Sequence, residues 1–229
     1  MNFQSGNAAV LWTGGKDSCL ALYQAQKQGY KVERLVTFVP TKPDFLAHPL
    51  LFMQYQAKAL NLPHDELTLT EPFKPAYEQA IGSLKRQGIS TLITGDIAEV
   101  GGQPNWVREC SQISGMEILT PLWGWDRQEL LAQLLSTGFK AIFSCVKKPW
   151  FTEEWLGREI DANVIDELRK ISAETGLDIG GEQGEYHTLV TDGPLFAKRI
   201  QIEVSAKRAG GELMYLDIRQ ASLREKIFP

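Results

Sequence analysis

The fold is decided near the start of the chain, by the stretch Ala8-Ala9-Val10-Leu11-Trp12-Thr13-Gly14-Gly15-Lys16-Asp17-Ser18. Residues 8–12 are a short apolar run followed by two glycines, which predicts a buried strand. A helix is predicted from about Ser18 to Gln28, and it stops at Gly29 because glycine commonly follows the last turn of a helix. A strand, a glycine turn and a helix in direct succession indicate an α/β sheet.

Residues 13–18, which we call the phosphate loop, have the composition of an anion-binding turn. The two glycines let the backbone approach an anion closely, and the amides and dipole of the following helix favour negative charge. Lys16 adds a mobile positive charge, and the hydroxyls of Thr13 and Ser18 can donate hydrogen bonds to phosphate oxygens. Asp17 would repel phosphate, so we expect it to hold Mg²⁺ or to cap backbone amides. The alternative is an ordinary glycine turn capped by Asp17 or Ser18.

Strand and helix patterns alternate through the first half of the chain. Strands are predicted at 32–39, 66–69, 89–94 and 117–119, and helices at 50–60, at 74–87, from Pro104 or just after it, and near Asp126. In the helix at 50–60 we expect Leu51, Tyr55 and Ala59 to share one face. Alternation of this kind predicts a Rossmann-like, mainly parallel sheet with helices on both faces, which binds ligands at the carboxyl ends of its strands.

The pattern changes after about Gly138. A strand is predicted at 139–146, a helix at 161–175, a glycine-rich loop at 180–184, a strand at 186–191, and two further strands at 199–204 and 212–218. These elements predict a smaller C-terminal α+β domain. We therefore divide the chain into a domain at 1–137, which carries the phosphate loop and which we expect to bind the nucleotide, and a smaller domain at 138–229, which we expect to bind the substrate.

Composition excludes several classes of protein. The chain has 229 residues, of which 43% are hydrophobic and 23% charged, as in an ordinary globular protein. No apolar run approaches the roughly 20 residues that span a bilayer, and the first residues do not resemble a secretory signal, so we expect a cytoplasmic protein without a membrane partner. A net charge of −4 gives no support to nucleic-acid binding. The sequence has no Cys-x-x-Cys motif, so we predict that its cysteines are reduced thiols: Cys19, Cys110 and Cys145.

An acidic, glycine-rich segment in the second half is the next candidate for chemistry. We call it the acidic segment: Gly181-Glu182-Gln183-Gly184-Glu185-Tyr186-His187-Thr188. Strand alternation would put Glu185 and His187 on one face. There they could act as an acid–base pair or bind a cation. The alternative is a polar hairpin without a catalytic role.

Four further residues are candidates for binding. Gly95 and Asp96 follow a predicted strand, where Asp96 could bind Mg²⁺ or a ribose hydroxyl, or be a turn aspartate. His48 lies in a loop near the predicted ligand-binding edge of the sheet, where it could bind the substrate or be a solvated histidine. Arg158 could pair with a substrate carboxylate or with Glu154.

The phosphate loop resembles the pyrophosphate loop of the N-type ATP pyrophosphatases, whose sequence is Ser-Gly-Gly-x-Asp-Ser. Thr13 replaces the first serine and keeps its hydroxyl. The spacing is not that of the Walker loop, which has four residues between its glycines. The resemblance implies that ATP is cleaved between its α and β phosphates.

The acidic segment, continued through residues 189–196, resembles the hallmark of the diphthine–ammonia ligase family. Further matches lie at 121–124, 138–141 and 155–158, in the family's order. The resemblance implies a nucleotide domain followed by a smaller domain, and ATP-driven amidation of a carboxylate with ammonium. Trp125 stands where arginine is common, and the loop at 98–105 lacks an expected basic pair. The His48-Pro49 loop and Tyr186-His187 are closer to the bacterial branch, which leaves the acceptor open.

The resemblance implies a set of site residues and partners. It places ATP on the phosphate loop, Gly95 and Asp96, with Mg²⁺ on Asp17 and Asp96. The acceptor would bind through His48, Arg158, Glu182 and Glu185, and the catalytic residues would be Lys16, Asp17, Glu182, Glu185 and His187. The expected partners are a carboxylate-bearing acceptor and ammonium, and the sequence allows a homodimer. Two alternatives stay open: a tRNA-modifying thiolase of the same superfamily, and a non-enzymatic nucleotide-binding sensor.

Overall fold

The computed structural model describes residues 6–42, 45–99 and 105–226, which form two compact units. Of these residues, the first unit holds 6–13, 17–42, 62–99 and 105–124. The second unit holds 14–16, 45–61 and 125–226. The phosphate loop therefore contributes residues to both units.

The first unit is built on a five-stranded parallel sheet. Its strands are β1 (Asn7–Leu11), β2 (Lys31–Pro40), β3 (His64–Leu69), β4 (Thr91–Ile93) and β5 (Glu117–Leu119). Their order across the sheet is β3-β2-β1-β4-β5, and every pairing is parallel. This is the strand order of a Rossmann-like sheet, with the chain reversing direction across the sheet at β1. The predicted α/β fold is confirmed.

Helices follow the strands at the predicted places. They are α1 (Lys16–Lys27), of which Lys16 belongs to the second unit, α3 (Phe73–Arg86) and α4 (Trp106–Ser111). Gly29 and Gly88 have φ of +89° and +91°, which suits glycine and explains why the chain leaves the helices there. The Asn105 side chain accepts a hydrogen bond from the Arg108 amide and so caps α4. The start predicted at Pro104 lies outside the described residues.

The core of the first unit lies under the middle of this sheet. It is formed by short apolar strands and the inner face of α3, with Ala9, Val36, Ile81, Leu84, Ile89, Leu92, Cys110, Met116 and Ile118 buried together. All three residues of β4 are buried, which is why an apolar, β-branched run appears there in the sequence. The sheet is thus a fixed platform for the loops at its carboxyl edge.

The second unit contains a four-stranded antiparallel sheet. Its strands are β6 (Lys140–Lys147), β7 (Tyr186–Asp192), β8 (Arg199–Gly210) and β9 (Leu213–Arg224), in the order β7-β6-β9-β8. The last two strands form a hairpin and extend beyond the predicted ranges. Their additional residues are largely polar and exposed, so they gave no apolar strand signal in the sequence. The predicted C-terminal α+β character is confirmed.

The described part of the second unit also contains a short 3₁₀ helix (Glu153–Trp155) and three α-helices: α2 (Leu50–Leu60), α5 (Arg127–Ser136) and α6 (Ala162–Thr175). Asp126 caps α5 by accepting hydrogen bonds from the amides of Gln128 and Glu129, as its spacing predicted. Asp161 caps α6 in the same way through the Val164 amide. None of the helices in the described part of the chain is long and apolar enough to cross a membrane.

The face predicted for α2 is wrong. This helix packs on β8 and β9 with Phe52, Met53, Gln56, Ala57, Ala59 and Leu60 buried. Leu51 is 38% exposed, and Tyr55 is only partly buried. The row of Leu51, Tyr55 and Ala59 lies at the margin of the buried arc, whose centre is about one residue further along the helix. The correction matters because it puts Gln56 in the interior.

Candidate functional site

In the first unit, the end of the phosphate loop lies against the strand-end residues Gly95 and Asp96. A Cβ added to Gly95 would stand 2.8 Å from the carbonyl carbon of Asp17 and 2.9 Å from the Ser18 nitrogen. Only a residue without a side chain allows this approach of two backbones. The Thr13 hydroxyl donates to Ser18 Oγ at 3.3 Å. The structure therefore brings together five residues that were predicted to bind nucleotide.

Asp96 is held by its neighbours. Its Oδ2 accepts a hydrogen bond from the Thr94 hydroxyl at 2.7 Å and from the Asn105 amide at 2.5 Å. Within the described residues, no cluster of three or more histidine, cysteine or carboxylate side chains could hold a metal ion. Because Mg²⁺ at nucleotide sites is bound by one or two carboxylates plus phosphate oxygens, carboxylates such as Asp96 and Asp17 still fit a nucleotide-borne ion.

In the second unit, the middle of the phosphate loop is fastened to β7. The Val190 amide donates to the Gly14 carbonyl at 3.0 Å, and the Lys16 amide donates to Thr188 Oγ1 at 3.0 Å. The strand that carries the end of the acidic segment thus fixes two backbone groups of the loop. We expected the acidic segment to contribute side chains to chemistry, but not to support the loop.

Gln56 supports the same loop, and the sequence analysis missed it. This side chain is fully buried, and its Nε2 donates to the carbonyl oxygens of Gly14 and Val190, each at 2.8 Å. The available signal was a glutamine in an otherwise apolar part of a helix, since a buried amide needs specific partners. The wrong face assigned to α2 concealed it.

The Lys16 side chain contacts the acidic segment. Only 4% of Lys16 is exposed, its Nζ lies 3.8 Å from Glu182 Oε1, and it stands over the Tyr186 ring at 5.4 Å from the centroid. A carboxylate and an aromatic face both attract an ammonium group. Lys16 and Glu182, which were predicted for nucleotide and acceptor respectively, therefore lie side by side.

Glu185 has a different environment from Glu182. It is 3% exposed, and its two carboxylate oxygens accept hydrogen bonds from the backbone amides of Asp178 and Gln183, at 3.1 and 2.9 Å. These bonds close the loop that precedes β7, and they satisfy two amides that have no strand partner. The geometry favours a loop-stabilising carboxylate over the proton-transfer role that the sequence suggested.

Two histidines of the second unit meet at the acidic segment. The rings of His48 and His187 are 5.2 Å apart and nearly perpendicular, an edge-to-face contact. The sequence predicted both for the site but gave no reason to pair them, because 139 positions separate 48 from 187. The loop before α2 and strand β7 therefore share one corner of the unit.

Arg158 is paired, but not with Glu154. It forms a two-pronged ion pair with Glu167, with N–O distances of 3.0 and 2.7 Å, and its guanidinium stacks on Trp155. Glu167 lies on α6, one turn beyond its cap, and this placement could not be read from local sequence. The pairing favours a structural role for Arg158 and weakens the case that it binds a substrate carboxylate.

Two models of one protein family match this chain. The diphthamide synthase N-terminal domain matches residues 6–118, and the diphthamide synthase C-terminal domain matches residues 126–223. The chain belongs to the diphthamide synthase family. The first match contains the phosphate loop, Gly95 and Asp96, and the second contains the acidic segment.

Relatives of this diphthamide synthase family member are similar over nearly its whole length. The diphthine–ammonia ligase of Mus musculus is 25% identical, over 96% of this chain and 93% of the mouse protein. That of Homo sapiens is 24% identical with the same coverage. That of Schizosaccharomyces pombe is 27% identical over 94% of this chain but only 39% of its own length.

A solved structure is also similar to this family member. It is described as a predicted subunit of a tRNA methyltransferase from Methanocaldococcus jannaschii, with 21% identity, a TM-score of 0.45, and coverage of 80% of this chain and 95% of the other. A structural similarity at this level supports no functional argument. The fold assignment rests on the strand order β3-β2-β1-β4-β5.

Proposed function

We propose that the protein is an ATP-dependent ligase that activates a carboxylate as an acyl-adenylate and converts it to an amide with ammonium. The observation that carries the proposal is the contact between Lys16 of the phosphate loop and Glu182 of the acidic segment. It joins an anion-binding loop to a carboxylate suited to a cationic substrate. The membership of the diphthamide synthase family and the names of the relatives support the same reaction class.

In the first step, an oxygen of the acceptor carboxylate would attack the α-phosphorus of ATP, and the bond to the bridging oxygen would break. Lys16, the Ser18 hydroxyl and the loop amides would stabilise the departing pyrophosphate, which is an electrostatic task. Mg²⁺, brought by ATP and held by Asp17 and Asp96, would offset phosphate charge.

In the second step, ammonia would attack the acyl carbon, and the bond to AMP would break. Glu182 would bind ammonium, and His187 would accept the proton that ammonium must lose to become a nucleophile. His48 lies against His187 and would orient it or contact the acceptor. In this division of work, residues 1–137 bind ATP and residues 138–229 bind the acceptor, with Gln56 and Glu185 supporting the loops.

The thiolase alternative receives less support, because such an enzyme would need a reactive thiol. Cys19, Cys110 and Cys145 are all free and buried. Burial raises the pKa of each, that of Cys145 to about 11, so the nucleophilic thiolate is disfavoured near neutral pH. A nucleotide sensor without catalysis would need no carboxylate beside Lys16.

The products of turnover test the reaction class. With ATP, ammonium and a competent acceptor, we expect AMP and pyrophosphate, because the loop holds the β and γ phosphates as the leaving group. Phosphorus NMR of the reaction mixture identifies the products directly. ADP and phosphate as the main products would contradict the proposal, and an absence of turnover with tight ATP binding would favour the sensor.

The role of Lys16 is tested by replacing it with alanine. We expect ATP affinity or turnover to fall by at least about tenfold, since a charge-assisted hydrogen bond contributes about 1.5 kcal/mol or more. Calorimetry measures the affinity. Lys27→Ala is the matched control, because Lys27 lies at the exposed end of the same helix. Equal affinity in wild type and Lys16→Ala, with equal turnover, would mean that this lysine does not serve the nucleotide.

A further inference from the structure

We propose that Gln56 is a positioning residue that aims the phosphate loop at the nucleotide. The proposal rests on the ATP site proposed above and adds a residue that lies far from the loop in sequence. Gln56 is on α2, 42 positions after Gly14, and its side-chain amide reaches the loop carbonyl at 2.8 Å. No sequence motif of the loop includes this residue.

Two hydrogen-bond donors determine the orientation of the peptide unit between Gly14 and Gly15. The Gly14 carbonyl accepts hydrogen bonds from Gln56 Nε2 and from the Val190 amide, at 2.8 and 3.0 Å. In a trans peptide, the carbonyl and the next amide point in opposite directions. Fixing the Gly14 carbonyl toward Gln56 and β7 therefore directs the Gly15 amide away from them, where it would face the phosphates of the proposed nucleotide.

Gly14 itself is required by this arrangement. Its φ is +73°, and an added Cβ would stand 2.0 Å from Gln56 Oε1. The side-chain amide thus occupies the space that any other residue at this position would fill. The first glycine of the loop and the buried glutamine are complementary, so each explains the presence of the other.

Gln56 also joins the loop to the strand of the acidic segment. Its two amide hydrogens are used by two acceptors, the Gly14 and Val190 carbonyl oxygens. A carboxamide is suited to this task because it donates two hydrogen bonds without carrying charge. A carboxylate in the same place would face two carbonyl oxygens and could donate only when protonated, which burial and the loss of partners both favour by raising its pKa.

The first experiment replaces Gln56 with methionine, which has a similar size but no donors. We expect the dissociation constant for ATP to rise at least about tenfold, because the Gly14–Gly15 peptide is no longer held in one orientation. Gln54→Met is the matched control, since Gln54 is an exposed residue of the same helix. Calorimetry with ATP and a thermal melt are measured on the same preparations. A lower melting temperature with unchanged ATP affinity would overturn the proposal.

The second experiment keeps the proposal testable if Gln56→Met folds poorly. In Gln56→Glu we expect ATP affinity, relative to wild type, to be weaker at about pH 9.5 than at about pH 6, since burial raises the pKa of the introduced acid and only its protonated form can donate to the loop. The wild-type ratio between the two pH values is the reference, and circular dichroism establishes that the variant is folded at both. A variant that follows the wild-type ratio would overturn the proposal.

The two proposals fail in different ways. If the wild type binds ATP but forms no AMP, the ligase reaction is wrong and Gln56 still positions a nucleotide loop. If the wild type forms AMP and the Gln56 variants bind ATP normally, only the positioning role is wrong. If the wild type binds no ATP, both are wrong.

Discussion

Replacing Gly95 with alanine is expected to lower ATP affinity about a hundredfold, or roughly 2.7 kcal/mol. The new Cβ would stand 2.8 Å from the Asp17 carbonyl carbon and 2.9 Å from the Ser18 nitrogen. Both are backbone atoms, which cannot rotate aside as the end of a long side chain can. The phosphate loop or the end of β4 must therefore move, and overpacking of this kind costs about 1–3 kcal/mol.

The control for this prediction is Gly82→Ala in the interior of α3. There the nearest atom to an added Cβ is a terminal nitrogen of Arg86 at 3.4 Å, and alanine favours a helix over glycine by about 0.5–1 kcal/mol. Calorimetry with ATP and thermal melts compare the two variants. Gly95→Ala with wild-type ATP affinity would mean that the nucleotide does not depend on the Gly95 contact.

The phosphate loop and its surroundings in the first unit could be predicted because their signals are local. A strand, two glycines and a helix start lie within about a dozen residues, and the carboxyl ends of parallel strands meet at one edge of the sheet. That rule was enough to place Gly95 and Asp96 with the loop. The capping residue Asp126 was found for the same reason, since a cap and its helix are adjacent in sequence.

The contacts that hold loop residues 14–16 within the second unit could not be predicted, because they depend on packing between segments that are distant in sequence. Gln56 is identified only when the rotation of α2 is known, because the predicted row of Leu51, Tyr55 and Ala59 does not include it. The partner of Arg158 depends in the same way on where α6 lies. Patterns give the elements and their polarity, but the pairing of buried polar groups follows from tertiary structure.

Glu185 and Glu182 are the same residue type but have different structural roles. The spacing of carboxylates, glycines and histidine suggested proton transfer, but Glu185 binds two backbone amides, whereas Glu182 lies beside the Lys16 ammonium group. Both residues are glutamates in one glycine-rich loop, so composition cannot distinguish them. Their surroundings predict opposite effects for the same substitution.

Glu185→Gln is therefore expected to destabilise the protein, and Glu182→Gln to impair the reaction. In Glu185→Gln, one of the two amides loses its acceptor, because the new NH₂ group is a donor. A buried amide without a partner costs about 1–3 kcal/mol, which corresponds to a melting temperature about 2–10 °C lower for a chain of this size. Glu182 lies 3.8 Å from Lys16, which is longer than a hydrogen bond, and glutamine keeps its size, so Glu182→Gln should lower the melting temperature less than Glu185→Gln does.

The rate of amide formation should fall mainly in Glu182→Gln, whereas the melting temperature should fall mainly in Glu185→Gln. Without the Glu182 carboxylate, ammonium loses its binding partner, and we expect amide formation at limiting ammonium to fall by about a hundredfold, or roughly 2.7 kcal/mol, within the range of a hydrogen bond between charged groups. ATP affinity should be retained, because removing a negative charge beside Lys16 does not weaken its attraction for phosphate. The melting temperature, ATP affinity and rate of amide formation are measured on the same preparations. A stable, fully active Glu182→Gln would remove this carboxylate from the chemistry, while a stable Glu185→Gln with a hundredfold slower reaction would return the proton-transfer role to Glu185.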